Sequence, residues 1–321
     1  MRISLNDLIL GLIASFICLI TMFSFLYWWR FAIFRPNTLH GGPHQSSQLK
    51  IPGYTLPPTP TPHYRLYSPT QLKLQMVDLI NLARAANNAP PLAWDDLAAQ
   101  LATQHATDML TNDYFSHWNN LGLGPDHRYT LIGGQHAAME NLYAYQAAYD
   151  NGQGAPITDW GQLINDAHTG LMSSPGHRQN ILDPTHTHVG IGLAYNEQNG
   201  QLRLVQIFTN QYFKLTTPLP REANLGDTLA IHGHFPQAEA HNILINLAYE
   251  PFRTPLDQAA YQSDRPYNTP AQPIAGWSSD PNLYHHITFD YDNGPGLYHL
   301  RIFADIKGHT TLVVNHVIAV R

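Results

Sequence analysis

The chain has 321 residues, which is enough for a targeting segment and two domains of ordinary size. Apolar residues make up 44% of the sequence, and this content excludes a chain that is disordered throughout. The 17 Lys and Arg residues stand against 23 Asp and Glu residues, without the basic excess that a nucleic-acid backbone attracts. We therefore expect no nucleic-acid partner.

The only cysteine in the sequence is Cys18, which lies inside an apolar run near the amino terminus. The rest of the chain has neither a disulfide nor a thiolate for metal binding or nucleophilic catalysis. Histidine is abundant instead, with 19 residues. Imidazole titrates near neutral pH and binds metal ions, although we expect most of these side chains to be surface or packing residues.

Residues 8–29 form an unbroken uncharged stretch, LILGLIASFICLITMFSFLYWW. At about 1.5 Å per residue, a helix of this length spans the roughly 30 Å hydrocarbon layer of a bilayer. The run is longer than that of a cleaved signal peptide and has no small-residue cleavage site. We therefore predict one uncleaved transmembrane helix, so that the protein is a single-pass protein of the cell membrane with the bulk of the chain extracytoplasmic. The flanking charges lean slightly the other way, so this orientation depends on the domain assignment below.

Residues 30–67 are predicted to be a linker. Pro, Gly, Ser and Thr are frequent here, and the segment contains the alternating run Pro58-Thr59-Pro60-Thr61-Pro62. Such a run favours extended polyproline II structure, which acts as a semi-rigid spacer. A proline-motif ligand for a partner is the alternative function.

The next segment shows helices followed by paired strands. Ser68-Pro69 predicts a helix start, and Asp95 or Asp96 is suited to cap a second helix. A third helix is predicted to open at Thr158-Asp159. Val189–Tyr195 and Leu202–Thr209 are predicted as strands joined by a turn that contains Asn199-Gly200. This order indicates an α+β fold, with a three-layer sandwich as one form.

Five short segments then occur in a consistent order. They are Ile80-Asn81-Leu82-Ala83-Arg84 with Pro91-Leu92-Ala93-Trp94-Asp95, His105-Ala106-Thr107-Asp108-Met109 with Tyr114-Phe115-Ser116-His117, Glu140-Asn141-Leu142, Ser174-Pro175-Gly176-His177-Arg178-Gln179-Asn180-Ile181-Leu182, and Val189-Gly190-Ile191-Gly192. Together they resemble the CAP (SCP-like, cysteine-rich secretory protein) superfamily in its bacterial, cysteine-free form. The resemblance implies an α-β-α sandwich with an open cleft over residues 68–213.

The resemblance also implies a site in that cleft. By motif, His117 and His177 match the two histidines of the family and Glu140 matches its first acidic residue, a set that can hold a divalent metal such as zinc. Ser174 stands where the family has a second acidic residue, so affinity for metal is expected to be modest and to fall below about pH 6. Two functions of Glu140 stay open, as a metal ligand or as a hydrogen-bond acceptor that orients an imidazole. Purely structural functions, such as capping a loop or a helix, are open as well.

Three further residues are associated with the same cleft: Ser174, Arg178 and Asn180. We expect Arg178 and Asn180 to tie their loop to the core rather than to touch a ligand. A serine nucleophile beside His177 is disfavoured, because no elbow motif surrounds it. His186 and His188 alternate along an extended segment and so share one face of it. A solvated loop is expected there, with a contribution to the metal site as the alternative.

Residues 216–321 are punctuated by short β-prone runs, such as Ile243-Leu244-Ile245 and Leu312-Val313-Val314. Their spacing over about 100 residues predicts a C-terminal antiparallel β-sandwich, Ig-like in size. The sequence shows no catalytic set there. Adhesion to a polymer or partner and a passive accessory function are equally compatible with this pattern.

Three functions follow from these observations. The leading hypothesis is an exported binding or scaffolding module, whose His/Glu cleft holds a divalent metal, a small ligand, a peptide or an envelope component. The alternatives are a metal-dependent hydrolase of peptide or cell-envelope substrates and an adhesin that acts through the β domain. The sequence has no HExxH motif, and Ser174 replaces an acidic residue, so binding is favoured over catalysis.

Overall fold

A computed structural model describes residues 67–236, 240–256, 274–290 and 293–321. The predicted transmembrane segment 8–29 and all but the last residue of the predicted linker 30–67 lie outside the described residues. Within the described ranges, no helix combines the length and the apolar character needed to cross a bilayer.

Helices and strands alternate in the first described region, and three of its helices start where the sequence predicts. Ser68 caps the first helix in a capping box with Gln71. The side chains of Asp95 and Asp159 accept hydrogen bonds from backbone N–H groups at the starts of two others. The elements are α1 Pro69–Ala86, β1 Ala93–Trp94, α2 Asp96–Thr111, α3 Pro125–Leu131, β2 Ala138–Gln146, α4 Trp160–Ser173, α5 Pro175–Leu182, β3 His188–Asn196 and β4 Gln201–Thr209.

These strands form one sheet in the order β1-β3-β4-β2, in which β1 and β3 are parallel and the other pairs are antiparallel. Successive side chains of a strand point to opposite faces, and both faces are covered here. Helices α1, α4 and α5 pack on one face and α2 packs on the other, which gives three layers. The two cores contain, respectively, Leu72, Met76, Ile80, Ile164, Leu171, Ile191 and Phe208, and Ala98, Leu101, Ala102, Met109, Val205 and Ile207.

Two glycines let α2 approach the sheet closely. A Cβ atom on Gly190 would lie 2.1 Å from the backbone nitrogen of Ala99. A Cβ atom on Gly192 would lie 2.1 Å from the backbone carbonyl carbon of Ala102. No real contact is that short, so the alternating glycines of β3 are needed for backbone-to-backbone packing.

The C-terminal region consists of strands. They are β5 Lys214–Leu215, β6 Glu222–Ala223, β7 Thr228–His234, β8 Ala240–Glu250, β9 Ile274–Ser278, β10 Asn282–Thr288, β11 Gly296–Ile306 and β12 His309–Val320. They form a three-stranded sheet, β10-β7-β5, and a five-stranded sheet, β6-β12-β11-β8-β9, in which only the β6–β12 pair is parallel.

Buried residues of both sheets, including Ile231, Ile287, Leu300 and Val314, form one core. Phe213 belongs to this core as well, although the sequence places it at the end of the preceding domain. The domain limits 68–213 and 216–321, and the Ig-like character of the second domain, stay predictions.

The two domains meet where α3 packs against β12. The backbone N–H of Val317 donates to Oγ1 of Thr130 at 3.1 Å, and Nδ2 of Asn315 donates to the carboxylate of Asp126. Two further hydrogen bonds cross the boundary, from Ala137 N to Val313 O at 3.1 Å and from Asn210 Nδ2 to Leu312 O at 2.8 Å. The short helix α3 is therefore part of the interface between the domains.

Candidate functional site

Glu140 lies on β2 with its side chain only 1% exposed. One nitrogen of the Arg128 guanidinium, Nη2, lies 3.0 Å from Oε2 and 3.2 Å from Oε1 of this carboxylate. The same nitrogen donates to the backbone carbonyl of His117 at 3.0 Å. Arg128 thus neutralises the buried carboxylate and holds the segment that carries His117 beside it.

His117 contacts the same carboxylate through its ring. Its Nδ1 lies 2.9 Å from Oε1 of Glu140, and 22% of its side chain is exposed. An ionised carboxylate only accepts hydrogen bonds, so Nδ1 is the donor. In the neutral imidazole the lone pair then lies on Nε2, the tautomer in which a histidine binds a metal or accepts a proton through Nε2.

A second imidazole, that of His105 on α2, lies below this pair. Its Nε2 lies 2.8 Å from the carbonyl oxygen of Ser116 and 4.0 Å from Oε1 of Glu140. Burial and the positive charge of Arg128 lower the pKa of His105 to about 3, with Glu140 opposing them. His105 is therefore neutral at physiological pH, and its Nε2–H supports the loop that precedes His117.

The charge state of Glu140 follows from two opposing effects. Burial alone raises the pKa of a carboxyl group, because the charged form loses its hydration. Arg128, His105 and His117 together outweigh burial and lower the pKa of Glu140 to about 2. At neutral pH the group is a fully ionised carboxylate with guanidinium nitrogen near both oxygens.

His177 lies on α5 and is 7% exposed. Its backbone carbonyl accepts a hydrogen bond from Nδ2 of Asn141 at 3.0 Å, which fixes the helix against β2. Burial, and to a lesser extent the charge that His117 carries when protonated, lower the pKa of His177 to about 4. Within the described ranges, Nδ1 of His177 is buried without a hydrogen-bond partner.

The remaining cleft residues differ in their surroundings. Asn180 donates to Oδ1 of Asn141 at 3.0 Å and ties its segment to the sheet, as expected. Arg178 is exposed, so the expected tie through its side chain is not made. Ser174 is 5% exposed, and its hydroxyl has no hydrogen-bond partner among the described residues. The segment predicted as a loop is the helix α5, which begins directly after Ser174.

His186 contradicts the prediction of a solvated loop. It is 2% exposed, its Nδ1 lies 2.8 Å from Oδ1 of Asn210, and its ring stacks on Phe208 at a centroid distance of 5.2 Å. Tertiary packing against β4 covers this segment, and the sequence pattern gave no sign of it.

Sequence reasoning missed Arg128 as the partner of Glu140. All residues from Pro125 to Thr130 are buried, so α3 shows no alternation of apolar and polar positions. The only sequence signal for this contact was an arginine directly after His127, in a chain with few charged residues. His105 begins one of the segments that carry the family resemblance, but its contact with the carbonyl of Ser116 was not predicted.

The predicted residues come together only in part. His117 and Glu140 are in contact, and His177 is buried on α5. The described residues contain one group of three candidate ligands whose ligating atoms all lie within 4.8 Å of one another, namely His127, Glu250 and His299. Zinc binding by His117, Glu140 and His177 stays a prediction.

A shallow groove of about 670 Å³ follows an exposed face of α2, lined by residues such as Lys73, Thr103 and Asp108. None of the predicted site residues lines it. The groove and the His117–Glu140 contact are therefore separate features.

Comparison with known proteins identifies a domain of this chain. Residues 77–212 match the family model for CAP, the cysteine-rich secretory protein family. The chain therefore contains a CAP domain in this region. The segments that carry the resemblance in the sequence fall within the matched residues.

Two relatives are proteins of Bacillus subtilis (strain 168). The uncharacterized membrane protein YlbC is 30% identical over 133 residues, which are 40% of this chain and 34% of YlbC. The uncharacterized protein YkwD is 28% identical over 119 residues, 37% of this chain and 40% of YkwD. The chain thus spans about a third to two fifths of the length of these relatives.

Among solved structures, an extracellular protein from Bacillus anthracis that contains a SCP domain shares 27% sequence identity with this chain. The comparison covers 46% of this chain and 45% of that chain, with a TM-score of 0.35.

Proposed function

We propose that this CAP-domain protein is a membrane-anchored, extracytoplasmic binding module, in which His117 and His177 contact a small ligand or a divalent metal such as Zn²⁺. The observation that carries the proposal is the 2.9 Å contact between Nδ1 of His117 and Glu140. It orients a partly exposed imidazole and keeps the lone pair of the neutral ring on Nε2.

Glu140 orients His117 in this proposal rather than binding the ligand directly. Both of its oxygens already accept hydrogen bonds from Arg128, and one of them also contacts His117. A carboxylate that stands behind an imidazole in this way fixes its ring and raises its basicity as a ligand. His177, with a pKa of about 4, is neutral at physiological pH and has the protonation state that metal binding requires.

The lowered pKa of Glu140 argues against the alternative of a metal-dependent hydrolase. A general base works best when its pKa lies near the working pH. The pKa of Glu140 is about 2, so it is a weak base at neutral pH. Binding without turnover is therefore the better-supported function, and its ligand class is a metal ion, a small molecule, a peptide or an envelope component.

The proposed location depends on residues 8–29 as an anchor and residues 30–67 as a spacer. The length and apolar character of the anchor support it, and the name of YlbC describes that relative as a membrane protein. Such an arrangement would hold the CAP domain outside the bilayer on a polyproline-type stalk.

Zinc titration of the full chain tests the site. The chain is purified in mild detergent, stripped with a chelator and titrated with Zn²⁺ in a calorimeter. We expect His117→Ala combined with His177→Ala to remove one binding event, and Glu140→Gln to weaken that event by about 10–100-fold.

The matched control is His168→Ala, which removes another partly buried imidazole of the same domain, on α4. It should leave the titration unchanged. If the double variant binds zinc with the same heat and stoichiometry as the wild type, His117 and His177 are not a metal site.

A further inference from the structure

A second group of histidines and a carboxylate lies at the boundary between the two domains. His127 comes from α3 of the CAP domain, Glu250 ends β8, and His299 lies in the middle of β11. All three are buried, with 3%, 4% and 0% of their surface exposed. The sequence separates them by up to 172 positions. Pairing of β8 with β11 brings Glu250 and His299 together, and the packing of α3 against the C-terminal strands adds His127.

The geometry of this group is compact. Nε2 of His299 lies 3.2 Å from Oε1 of Glu250, and Nε2 of His127 contacts the same oxygen. The two rings meet edge to face, with centroids 5.0 Å apart. The three ligating atoms lie within 4.8 Å of one another. Tetrahedral ligands bonded to one ion at about 2.0–2.2 Å are about 3.3–3.6 Å apart, so small side-chain shifts would bring these atoms to bonding positions.

Arg253 occupies the opposite side of the carboxylate. Its guanidinium contacts Oε2 of Glu250 and lies 4.5 Å from the ring centroid of Trp118 in the CAP domain. Oε1 is therefore the oxygen that faces the two imidazoles. A carboxylate held on one oxygen by arginine and directed at a shared point by the other is typical of an oriented ligand.

The buried imidazole of His299 has a ring nitrogen that accepts or donates no hydrogen bond among the described residues. The side chain is completely buried. Nε2 has the 3.2 Å contact with Oε1 of Glu250, whereas Nδ1 has no hydrogen-bond partner within the described part of the chain. A buried polar group without a partner destabilises a fold unless something else satisfies it.

The protonation states suit a metal ligand set. Burial lowers the pKa of His299, with Glu250 opposing this effect, and so favours a neutral ring. Burial by itself would raise the pKa of Glu250, but its contacts with His127 and His299 lower it, so the group is a carboxylate at neutral pH. A neutral imidazole and an ionised carboxylate are the forms that bind Zn²⁺.

We propose that His127, Glu250 and His299 bind one divalent cation of borderline softness, with Zn²⁺ as the natural candidate, between the CAP domain and the β domain. Two imidazole nitrogens and one carboxylate oxygen are a common zinc ligand set and leave one position for water. Because the ligands come from both domains, the bound ion stabilises their docking.

The decisive experiment gives position 299 a ligand with its own optical signal. The full chain in mild detergent is stripped of metal and titrated with Co²⁺, which replaces Zn²⁺ and absorbs visible light. In His299→Cys, a thiolate bound to Co²⁺ adds a charge-transfer band in the near ultraviolet. The matched control is His316→Cys, since His316 is a buried histidine on the adjacent strand β12 that lies outside the group.

We expect the new band in His299→Cys and not in His316→Cys. A folded His299→Cys chain without the band would overturn the proposal. Cys18 is present in both variants and cancels in the comparison.

A second measurement uses a variant that keeps all three residues of the interdomain group. The chain with His117→Ala and His177→Ala lacks the other candidate site and is titrated with Zn²⁺. One bound Zn²⁺ per chain that raises the midpoint of thermal unfolding supports the interdomain site. No bound Zn²⁺ rejects it, and the group is then a metal-free buried ion pair. Because the two sites are removed by different variants, failure of one proposal is distinguishable from failure of the other.

Discussion

Two buried carboxylates, Glu140 and Glu250, have the same kinds of neighbours, but their arginines contact different numbers of carboxylate oxygens. Each contacts one arginine and lies near two histidines. Arg128 donates to both oxygens of Glu140, whereas Arg253 contacts only Oε2 of Glu250. In the two proposals made above, this difference separates a carboxylate that positions a neighbouring imidazole from a carboxylate that is itself directed at a ligand.

The largest expected effect follows from removing the arginine that serves both oxygens. Arg128→Met leaves Glu140 buried without its guanidinium, and we expect the free energy of unfolding to fall by about 3–5 kcal/mol. Urea unfolding at pH 7, followed by circular dichroism, measures the change. Arg178→Met removes an exposed arginine and should stay within about 0.5 kcal/mol of the wild type. A loss below 1 kcal/mol for Arg128→Met would mean that the histidines suffice.

The pH dependence of stability tests the contribution of the Glu140 carboxylate at the same site. The folded pKa of Glu140, about 2, lies below its ordinary value of 4.5, so its stabilising contribution is present above about pH 4.5 and is lost as the pH falls towards 2. The shift corresponds to about 3 kcal/mol. Glu140→Gln should therefore be less stable than the wild type at pH 6, with a gap that narrows by pH 3.

Urea unfolding at the two pH values checks this expectation. Glu250 also loses its charge in acid, but it is present in both chains and cancels in the difference. A gap that stays constant between pH 6 and pH 3 would show that the pKa of Glu140 is not lowered.

A smaller effect is expected at the second carboxylate. Arg253 is 31% exposed and contacts one oxygen of Glu250, while His127 and His299 contact the other. Arg253→Met should therefore lower the free energy of unfolding by about 1–2 kcal/mol, less than Arg128→Met. Urea unfolding of both variants under one set of conditions ranks them. The reverse order would contradict the difference between the two sites.

Local signals were enough to predict the helix starts and the main hairpin of the CAP domain. Ser68, Asp95 and Asp159 cap their helices because a side-chain oxygen satisfies backbone N–H groups within three residues. Asn199-Gly200 lies between β3 and β4, and Gly200 has a φ of +68°. These features depend on neighbouring residues, so the sequence shows them directly.

The candidate site was predictable only through the family resemblance, which grouped His117, Glu140 and His177 as a metal site that stays a prediction; the structure places His117 in contact with Glu140. The contact of Arg128 with Glu140 could not be predicted from the sequence, and neither could the interdomain group of His127, Glu250 and His299. Arg128 reaches Glu140 because α3 packs beside β2, and the buried His299 meets the ring of His127 only because α3 lies against the C-terminal strands. Such contacts depend on how elements and domains pack, and no spacing in the sequence encodes them.

Helix α3 limits how this protein can be rebuilt from parts. Arg128 of this seven-residue helix contacts Glu140 of the CAP domain. Asp126, His127 and Thr130 of the same helix contact residues of the β domain. A chimera that exchanged the C-terminal domain at residue 213 would keep this helix but discard its partners. A workable exchange would have to transplant residues 125–131 with the incoming domain while keeping arginine at position 128.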